Sequence, residues 1–294
     1  MFSICALGFW YMLASTTSFA LMAAVSKKIG TQATSNEKLF WRAVLSSAFA
    51  LLENSWRGHR IGWPKRPGLM LLRGFCGHIA TVAYFEAINV MPLGECAFLG
   101  KIHPLAAAAF GRLFLGEELR WSRVIAMVVS MGGVALIAKP SAAGIASGSV
   151  YGVALALFAG VLSGGAYCCV RALLQKGESE LWVVLAFPLV SAPVGVMDAL
   201  KHILGEGLET SLLCWILALG VCTQGGQIFL ARGLRLLPVA IGTHIMFLGS
   251  IISVMLGVLM GDAVPEWNVW AGGAIIFASL QLAEVGQQPR EKTT

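Results

Sequence analysis

Residues 236–261 read LLPVAIGTHIMFLGSIISVMLGVLMG, a run of 26 residues without Asp, Glu, Lys or Arg. A helix of this length, at about 1.5 Å per residue, is long enough to cross the roughly 30 Å hydrocarbon core of a bilayer. Residues 210–231 form another charge-free run. Because a soluble helix carries polar residues on its exposed face, these two runs predict membrane-spanning helices.

The composition of the whole chain agrees with this interpretation. Of its 294 residues, 57% are hydrophobic and only 12% are charged, against about 25% charged residues in an ordinary soluble domain. The mean hydropathy is +0.77. A soluble protein of this size cannot bury so much apolar surface, since more than half of an ordinary surface is already apolar. The composition therefore excludes a soluble enzyme, a nucleic-acid-binding module and a disordered chain.

Charged residues and breaks rich in Pro, Gly or Ser divide the chain into ten apolar segments. Each segment is predicted to be a membrane-spanning helix. The predicted helices cover residues 3–26, 38–55, 69–90, 92–115, 121–138, 149–172, 181–200, 211–232, 237–260 and 267–284.

The placement of Lys and Arg predicts the orientation of these helices, because cytoplasmic loops are enriched in both. With the N-terminus in the cytoplasm, 14 of the 21 basic residues fall on the inner side. They are Arg57, Arg60, Lys65, Arg66, Arg73, Arg112, Arg120, Arg123, Arg171, Lys176, Arg232, Arg235, Arg290 and Lys292. Lys27, Lys28, Lys38, Arg42, Lys101, Lys139 and Lys201 fall on the outer side or within helices. Both termini are therefore predicted to be cytoplasmic. The net charge of +6 is explained by topology and lipid contacts, without a nucleic-acid partner.

Residues of the first half recur about 145 positions later in the second half. The matching pairs are Ser18 with Ser163, Val25 with Val170, the turn at 90–93 with that at 236–239, and Phe114–Glu117 with Leu259–Asp262. The chain is thus predicted to consist of two five-helix units, residues 1–140 and 141–286, and a cytoplasmic tail at 287–294. Since five is odd, the second unit enters the membrane from the opposite side, as in the inverted repeats of many transporters.

The motifs between residues 84 and 140 resemble those of a known family. They are AINVMPLGE at 87–95, PLA at 104–106, FLGEEL at 114–119 and GGVALIAKP at 132–140. This pattern is similar to the EamA domain of the drug/metabolite transporter superfamily. The second half resembles the domain more loosely, since Ser250 stands where Pro104 is expected and Asp262 replaces the Glu.

The resemblance implies an all-α membrane protein in which ten transmembrane helices form two inverted five-helix EamA repeats around a central cavity. Predicted helices 1, 3, 4, 6, 8 and 9 are then expected to line the cavity. The function that it implies is secondary transport of a small polar metabolite, either anionic or neutral, by alternating access. We expect no cofactor, and partners limited to the metabolite, the bilayer and optionally a second copy in a homodimer.

Other function classes have weaker support in the sequence. The chain has no Walker motif for nucleotide binding, and its predicted spans have no H-E-x-x-H, G-x-S-x-G or Asp pair for catalysis. An enzyme and a metal site are therefore not expected. A membrane receptor or scaffold that does not transport stays open as the alternative.

Lys101 is the most informative candidate site residue. It lies nine residues after Pro92, about 13 Å into a helix, where an ionised group costs at least ~2.5–3.5 kcal/mol. His103 and Pro104 follow, and a proline frees a backbone carbonyl within the helix. One interpretation is that Lys101 and His103 bind an anionic substrate.

The alternative for Lys101 is an internal ion pair, with either Glu86 or Glu95 as its partner. These two carboxylates, together with His78, are also candidates for coupling or gating. Glu95 has a structural alternative as well, because it stands near a helix N-terminus, where a carboxylate complements the helix dipole.

Four further polar residues on predicted cavity helices are candidate substrate contacts. His244 is the only ionisable side chain in the run at 236–261, and it is either a ligand or a packed histidine. The others are Tyr84, Gln224 and Gln227.

Small residues at four-residue spacing mark two of the predicted helices. Gly148, Gly152, Ala156, Gly160 and Gly164 form one stripe, and Gly249, Ser253, Gly257 and Gly261 form the other. Such stripes predict close helix packing, either static or at surfaces that slide during transport.

Overall fold

The computed structural model describes residues 2–56, 62–116, 121–138, 147–205, 209–236 and 239–285. Within these ranges the chain is helical and contains no β-strand. The helices are α1 (Phe2–Ile29), α2 (Ser35–Trp56), α3 (Pro67–Val90), α4 (Leu93–Leu99), α5 (His103–Leu115), α6 (Trp121–Ala138), α7 (Ser147–Gln175), α8 (Glu180–Gly205), α9 (Thr210–Leu236), α10 (Val239–Leu259) and α11 (Trp267–Val285).

Each predicted segment coincides with an observed helix, except that the fourth is divided into α4 and α5. Five helical stretches in the described part of the chain are long and apolar enough to cross a membrane: Ala6–Ile29, Pro67–Val90, Val150–Leu173, Leu181–Gly205 and Thr210–Leu230. Val124–Ile137 and Ile245–Leu259 are shorter apolar helices. The chain is therefore an all-helical, multi-pass membrane protein.

The ends of α3 and α5 follow from their sequence. Pro67 is the first residue of α3, a position that needs no N–H donor. Gly116 ends α5 with φ 67°, and its N–H bonds the Gly111 carbonyl. This left-handed conformation is readily adopted by glycine, which has no Cβ to clash. The F-L-G turn is therefore a helix C-cap.

The break between α4 and α5 is a 3-10 turn at Gly100–Ile102. Pro104 has no N–H to donate to the Gly100 carbonyl four residues earlier. The His103 N–H bonds that carbonyl instead, which is the i to i+3 pattern of a 3-10 turn. Lys101 thus lies within the break rather than on a regular helix.

The helices contact one another in a closed order. α2 packs on α8, α8 on α3, α3 on α7 and α7 on α5, while α4 packs on α10, α10 on α1, α1 on α9 and α9 on α2. The 3-10 turn joins α4 to α5 and completes the ring. α6 packs mainly on α11. The break at Lys101 is therefore one segment of the ring.

Glycines allow several of these helices to approach closely. A Cβ at Gly164 of α7 would lie 2.6 Å from the Ala106 Cβ and 2.8 Å from the His103 carbonyl oxygen of α5. Gly160, one turn earlier, faces Ile102 in the same way. On α10, a Cβ at Gly249 would overlap the Thr16 hydroxyl of α1. Gly152, Gly160, Gly164, Gly249 and Gly257 therefore lie at close contacts, as predicted for the two stripes, whereas a Cβ at Gly261 would meet no atom within 4 Å.

We predict that Gly164→Ala destabilises the protein by about 1–3 kcal/mol, because the added methyl overpacks the contact between α5 and α7. Gly132→Ala is the matched control, since a Cβ at Gly132 of α6 would meet no atom within 4 Å. In that open position alanine is expected to stabilise the helix slightly. Thermal unfolding of both purified variants in detergent measures the difference, and equal midpoints contradict the packing argument.

Candidate functional site

The Lys101 side chain extends from the 3-10 turn to α10. Its Nζ donates to the Met246 carbonyl oxygen at 2.7 Å, and the side chain is partly buried. Thr16 of α1 donates to the same carbonyl at 3.2 Å. Among the described residues Lys101 forms no ion pair, so the structure does not show the alternative internal ion pair with Glu86 or Glu95. Its positive charge therefore has no counter-charge within the described ranges.

His103 lies two residues after Lys101 and faces α7. Its Nδ1 lies 3.0 Å from the Gly100 carbonyl oxygen, the carbonyl that Pro104 leaves without its helical donor. The imidazole stacks on the Tyr167 ring, with 5.3 Å between centroids. Tyr167 is 47% exposed, so its ring is not enclosed by packing. Lys101, His103 and Tyr167 therefore form one polar cluster at the break.

Arg42 of α2 and Arg73 of α3 meet at Phe187 of α8. Their guanidinium carbons lie 4.7 Å and 5.9 Å from the centre of that ring. Tyr167 lies in the neighbourhood of both guanidinium groups, which places this pair near the cluster at Lys101. In the described part of the chain neither guanidinium is paired with a carboxylate, and the buried Nε of Arg73 has no hydrogen-bond partner.

This arrangement is energetically expensive in a membrane. An ionised side chain at the centre of a bilayer costs at least ~2.5–3.5 kcal/mol, and two adjacent cations also repel each other. Contact with the face of the Phe187 ring offsets part of that cost. The remaining unfavourable energy is what a bound anion would relieve.

Lys38, in contrast, is fully satisfied. Its side chain is 0% exposed and donates to the Ser26 carbonyl at 3.1 Å and to the Gly30 carbonyl at 2.8 Å. These carbonyls belong to the end of α1, where the last turn of a helix lacks intrahelical donors. Lys38 therefore acts as a structural cap for α1.

A further charged contact joins the end of α1 to the segment after α10. Lys27 forms a salt bridge with Asp262 at 2.5 Å and also donates to the Met91 carbonyl at 3.3 Å. The other oxygen of Asp262 accepts from the Leu93 N–H at 2.9 Å. One carboxylate thus connects α1, the start of α4 and the end of α10.

The other predicted site residues are dispersed. The Nδ1 of buried His78 lies 3.1 Å from the Ser191 hydroxyl, Glu86 accepts from Ser35 at 2.6 Å, and Gln224 accepts from Ser46 at 2.9 Å. Tyr84 is partly buried against Phe85, Glu95 is in the first turn of α4, and Gln227 is exposed.

His244 has its backbone in α10, and its side chain lies outside the described residues. The structure thus brings only Lys101 and His103 of the predicted set together. Within the described ranges, no group of three or more His, Cys, Asp or Glu residues could hold a metal ion.

Arg42, Arg73 and Tyr167 are absent from the predicted site. Arg73 was counted as a topology signal, but its guanidinium packs on Phe187 inside the helix bundle. Each arginine lies several residues within a predicted apolar segment, which is the signal that could have identified it. Their proximity has no sequence signature, because the two residues are 31 positions apart.

Comparison with known proteins shows which family and which proteins this chain resembles. Residues 6–139 match the EamA-like transporter family. A pseudopaline exporter of Pseudomonas aeruginosa is 28% identical over 273 residues, which cover 91% of this chain and 92% of the exporter. An S-adenosylmethionine uptake transporter of Rickettsia bellii is 22% identical over 270 residues, with 91% and 89% covered. A protein known from its crystal structure is similar with a TM-score of 0.59 and 20% identity, covering 96% of each chain, which shows a shared fold.

The two buried lysines should differ in their effect on stability. Lys38→Met is expected to destabilise the protein by about 1.5–3 kcal/mol, because two carbonyls lose a charged donor. Lys101→Met should change the free energy of unfolding by less than about 1 kcal/mol, since the Met246 carbonyl keeps Thr16 as a donor. Thermal unfolding in detergent compares the variants, and a larger loss for Lys101→Met than for Lys38→Met contradicts the assignment of Lys101 as a functional residue.

Proposed function

Because the chain is an EamA-domain member of the drug/metabolite transporter superfamily, we propose that it is a secondary transporter that moves a small polar, negatively charged metabolite by alternating access. The family and the named relatives indicate a transporter of small molecules rather than an enzyme. The charge of the metabolite and the mode of transport are our proposal.

The cation of Lys101 is the observation that carries this proposal. It lies at a helix break, contacts the neighbouring helix α10 through the Met246 carbonyl, and has no counter-charge among the described residues. Discontinuous helices form the substrate sites of many transporters, where irregular backbone lines a cavity rather than lipid. A negatively charged substrate would supply the missing charge.

The contacts between helices support two inverted units, residues 1–140 and 141–286. With α4 and α5 taken together as one helix of the first unit, the contact of α1 with α9 corresponds to that of α7 with α3. The contact of α1 with α10 corresponds to that of α7 with α5. Contacts that repeat with the two units exchanged are what a pseudo-two-fold axis in the membrane plane produces.

The salt bridge between Lys27 and Asp262 supports alternating access, because it joins the first unit to the second at one end of the bundle. With both termini in the cytoplasm, this end faces outward. We propose that the salt bridge closes the outer gate in this conformation. Rupture of a few such contacts would allow the two units to rock around the site at Lys101.

Substitution of Lys101 tests the transport function. Lys101→Gln should abolish counterflow of a negatively charged substrate in proteoliposomes, because the cation is removed while a polar side chain is kept. Lys201→Gln is the matched control, since Lys201 is exposed on α8, and it should transport at the wild-type rate. Wild-type protein that catalyses no uptake or counterflow across a broad metabolite panel would favour the receptor or scaffold instead.

The gate is tested by the reactivity of a buried thiol. Cys96 is 0% exposed and lies near both Lys27 and Asp262. In a variant without the other six cysteines, Asp262→Asn should raise the rate of Cys96 labelling by a membrane-impermeant thiol reagent several-fold. Lys28→Gln, at an exposed position beside Lys27, should leave the rate unchanged. Equal labelling rates in all three proteins would exclude this salt bridge as a gate.

A further inference from the structure

Two arginines from different helices share one aromatic ring inside the bundle. Arg42 is in the second turn of α2 and Arg73 in the second turn of α3, and both guanidinium groups lie against Phe187. Three helices thus hold two cations of like charge together. An arrangement that maintains this repulsion needs a reason other than packing.

Neither cation is neutralised within the part of the protein that the structure describes. No described carboxylate forms an ion pair with Arg42 or Arg73, and both guanidinium groups lie against the uncharged Phe187 ring. The buried Nε of Arg73 has no acceptor. Lys27 and Lys38, by comparison, have their donors paired. The arginine pair is therefore the part of the interior where a negative group is missing.

The missing side chain at Gly77 leaves space for the Arg73 guanidinium beside the Phe187 ring. A Cβ at Gly77, one turn after Arg73, would lie 3.1 Å from the Phe187 ring and 3.3 Å from the Arg73 Nη1. The guanidinium thus lies along α3 and beside the ring. A planar fork of N–H donors in this position matches an oxyanion, which accepts two parallel hydrogen bonds.

We propose that Arg42 and Arg73 form an oxyanion-binding subsite, which takes a carboxylate or phosphate group of the transported metabolite. The proposal rests on the transport function proposed above and names the chemical class of its substrate. Phe187 is a positioning residue, because its ring contacts both guanidinium groups and holds them in place.

The subsite is continuous with the cluster at Lys101. Tyr167 stacks on His103 and lies in the neighbourhood of both arginines. A metabolite can therefore have its oxyanion at the arginines and a second polar or anionic group near Lys101. This arrangement favours a substrate with two separated polar groups over a single small anion.

Binding of defined anions to the purified protein in neutral detergent tests the subsite. The probes are glutarate, citrate and inorganic phosphate, with glutaramide as the uncharged counterpart of glutarate. At least one of the anions, but not glutaramide, should raise the unfolding temperature of the wild type. Arg42→Gln and Arg73→Gln should each weaken the binding of that anion about tenfold or more. Arg112→Gln, at an exposed position near the end of α5, should bind as the wild type does.

Conservative variants cover the case in which a glutamine variant does not fold. Arg42→Lys and Arg73→Lys keep the charge but lose the planar fork, so they should bind the anion more weakly than wild type and more tightly than the glutamine variants. Phosphatidylglycerol added to the micelles distinguishes a lipid phosphate from a soluble oxyanion. Stabilisation by this lipid alone, wild-type affinity in the arginine variants, or no stabilisation by any soluble anion would each overturn the subsite.

Transport assays separate this inference from the proposed function. If the wild type transports a metabolite and the arginine variants do so with unchanged KM, the subsite is wrong and the transport function stands. If the arginines bind anions but the wild type moves no substrate in proteoliposomes, the subsite stands and the transport function is wrong.

Discussion

An ionised side chain within a bilayer loses its hydration, and the protein must replace it with hydrogen bonds or an opposite charge. Lys38 and Lys27 show both solutions. Lys38 donates to two carbonyls at the end of α1, and Lys27 pairs with Asp262. Lys101 and the arginine pair lack an opposite charge in the described structure. Because Lys38 and Lys27 are compensated and these cations are not, the uncompensated positions are the ones at which we propose that a substrate binds.

The backbone positions these cations through two features that depend on small or unusual residues. Pro104 produces the break that places Lys101 between α4 and α5, and Gly164 allows α7 to approach α5 at the same level. That approach places Tyr167 of α7 against the His103 ring. Close helix packing at a glycine and a backbone donor missing at a proline thus combine to form a polar cluster within an otherwise apolar bundle.

More of the fold than of the site could be predicted from the sequence. The positions of the helices follow from runs of apolar residues, since the bilayer demands a helix wherever the chain crosses it. Lys101 and His103 could be identified as a polar cluster because their depth is read along one helix. The partner of Lys101 could not, since the Met246 carbonyl is 145 residues away. Glu86 and Gln224, which resemble site residues in the sequence, form hydrogen bonds with serines of α2.

The sequence by itself determined the all-helical membrane fold, the family motifs and the depth of Lys101, because these are properties of contiguous residues and their spacing. The tertiary structure alone decided which cations are compensated. Arg73, which the sequence suggests is an orientation signal, lies with Arg42 on the Phe187 ring. The free energy of a buried charge depends on the groups that surround it in space, and those groups come from helices that are far apart in the chain.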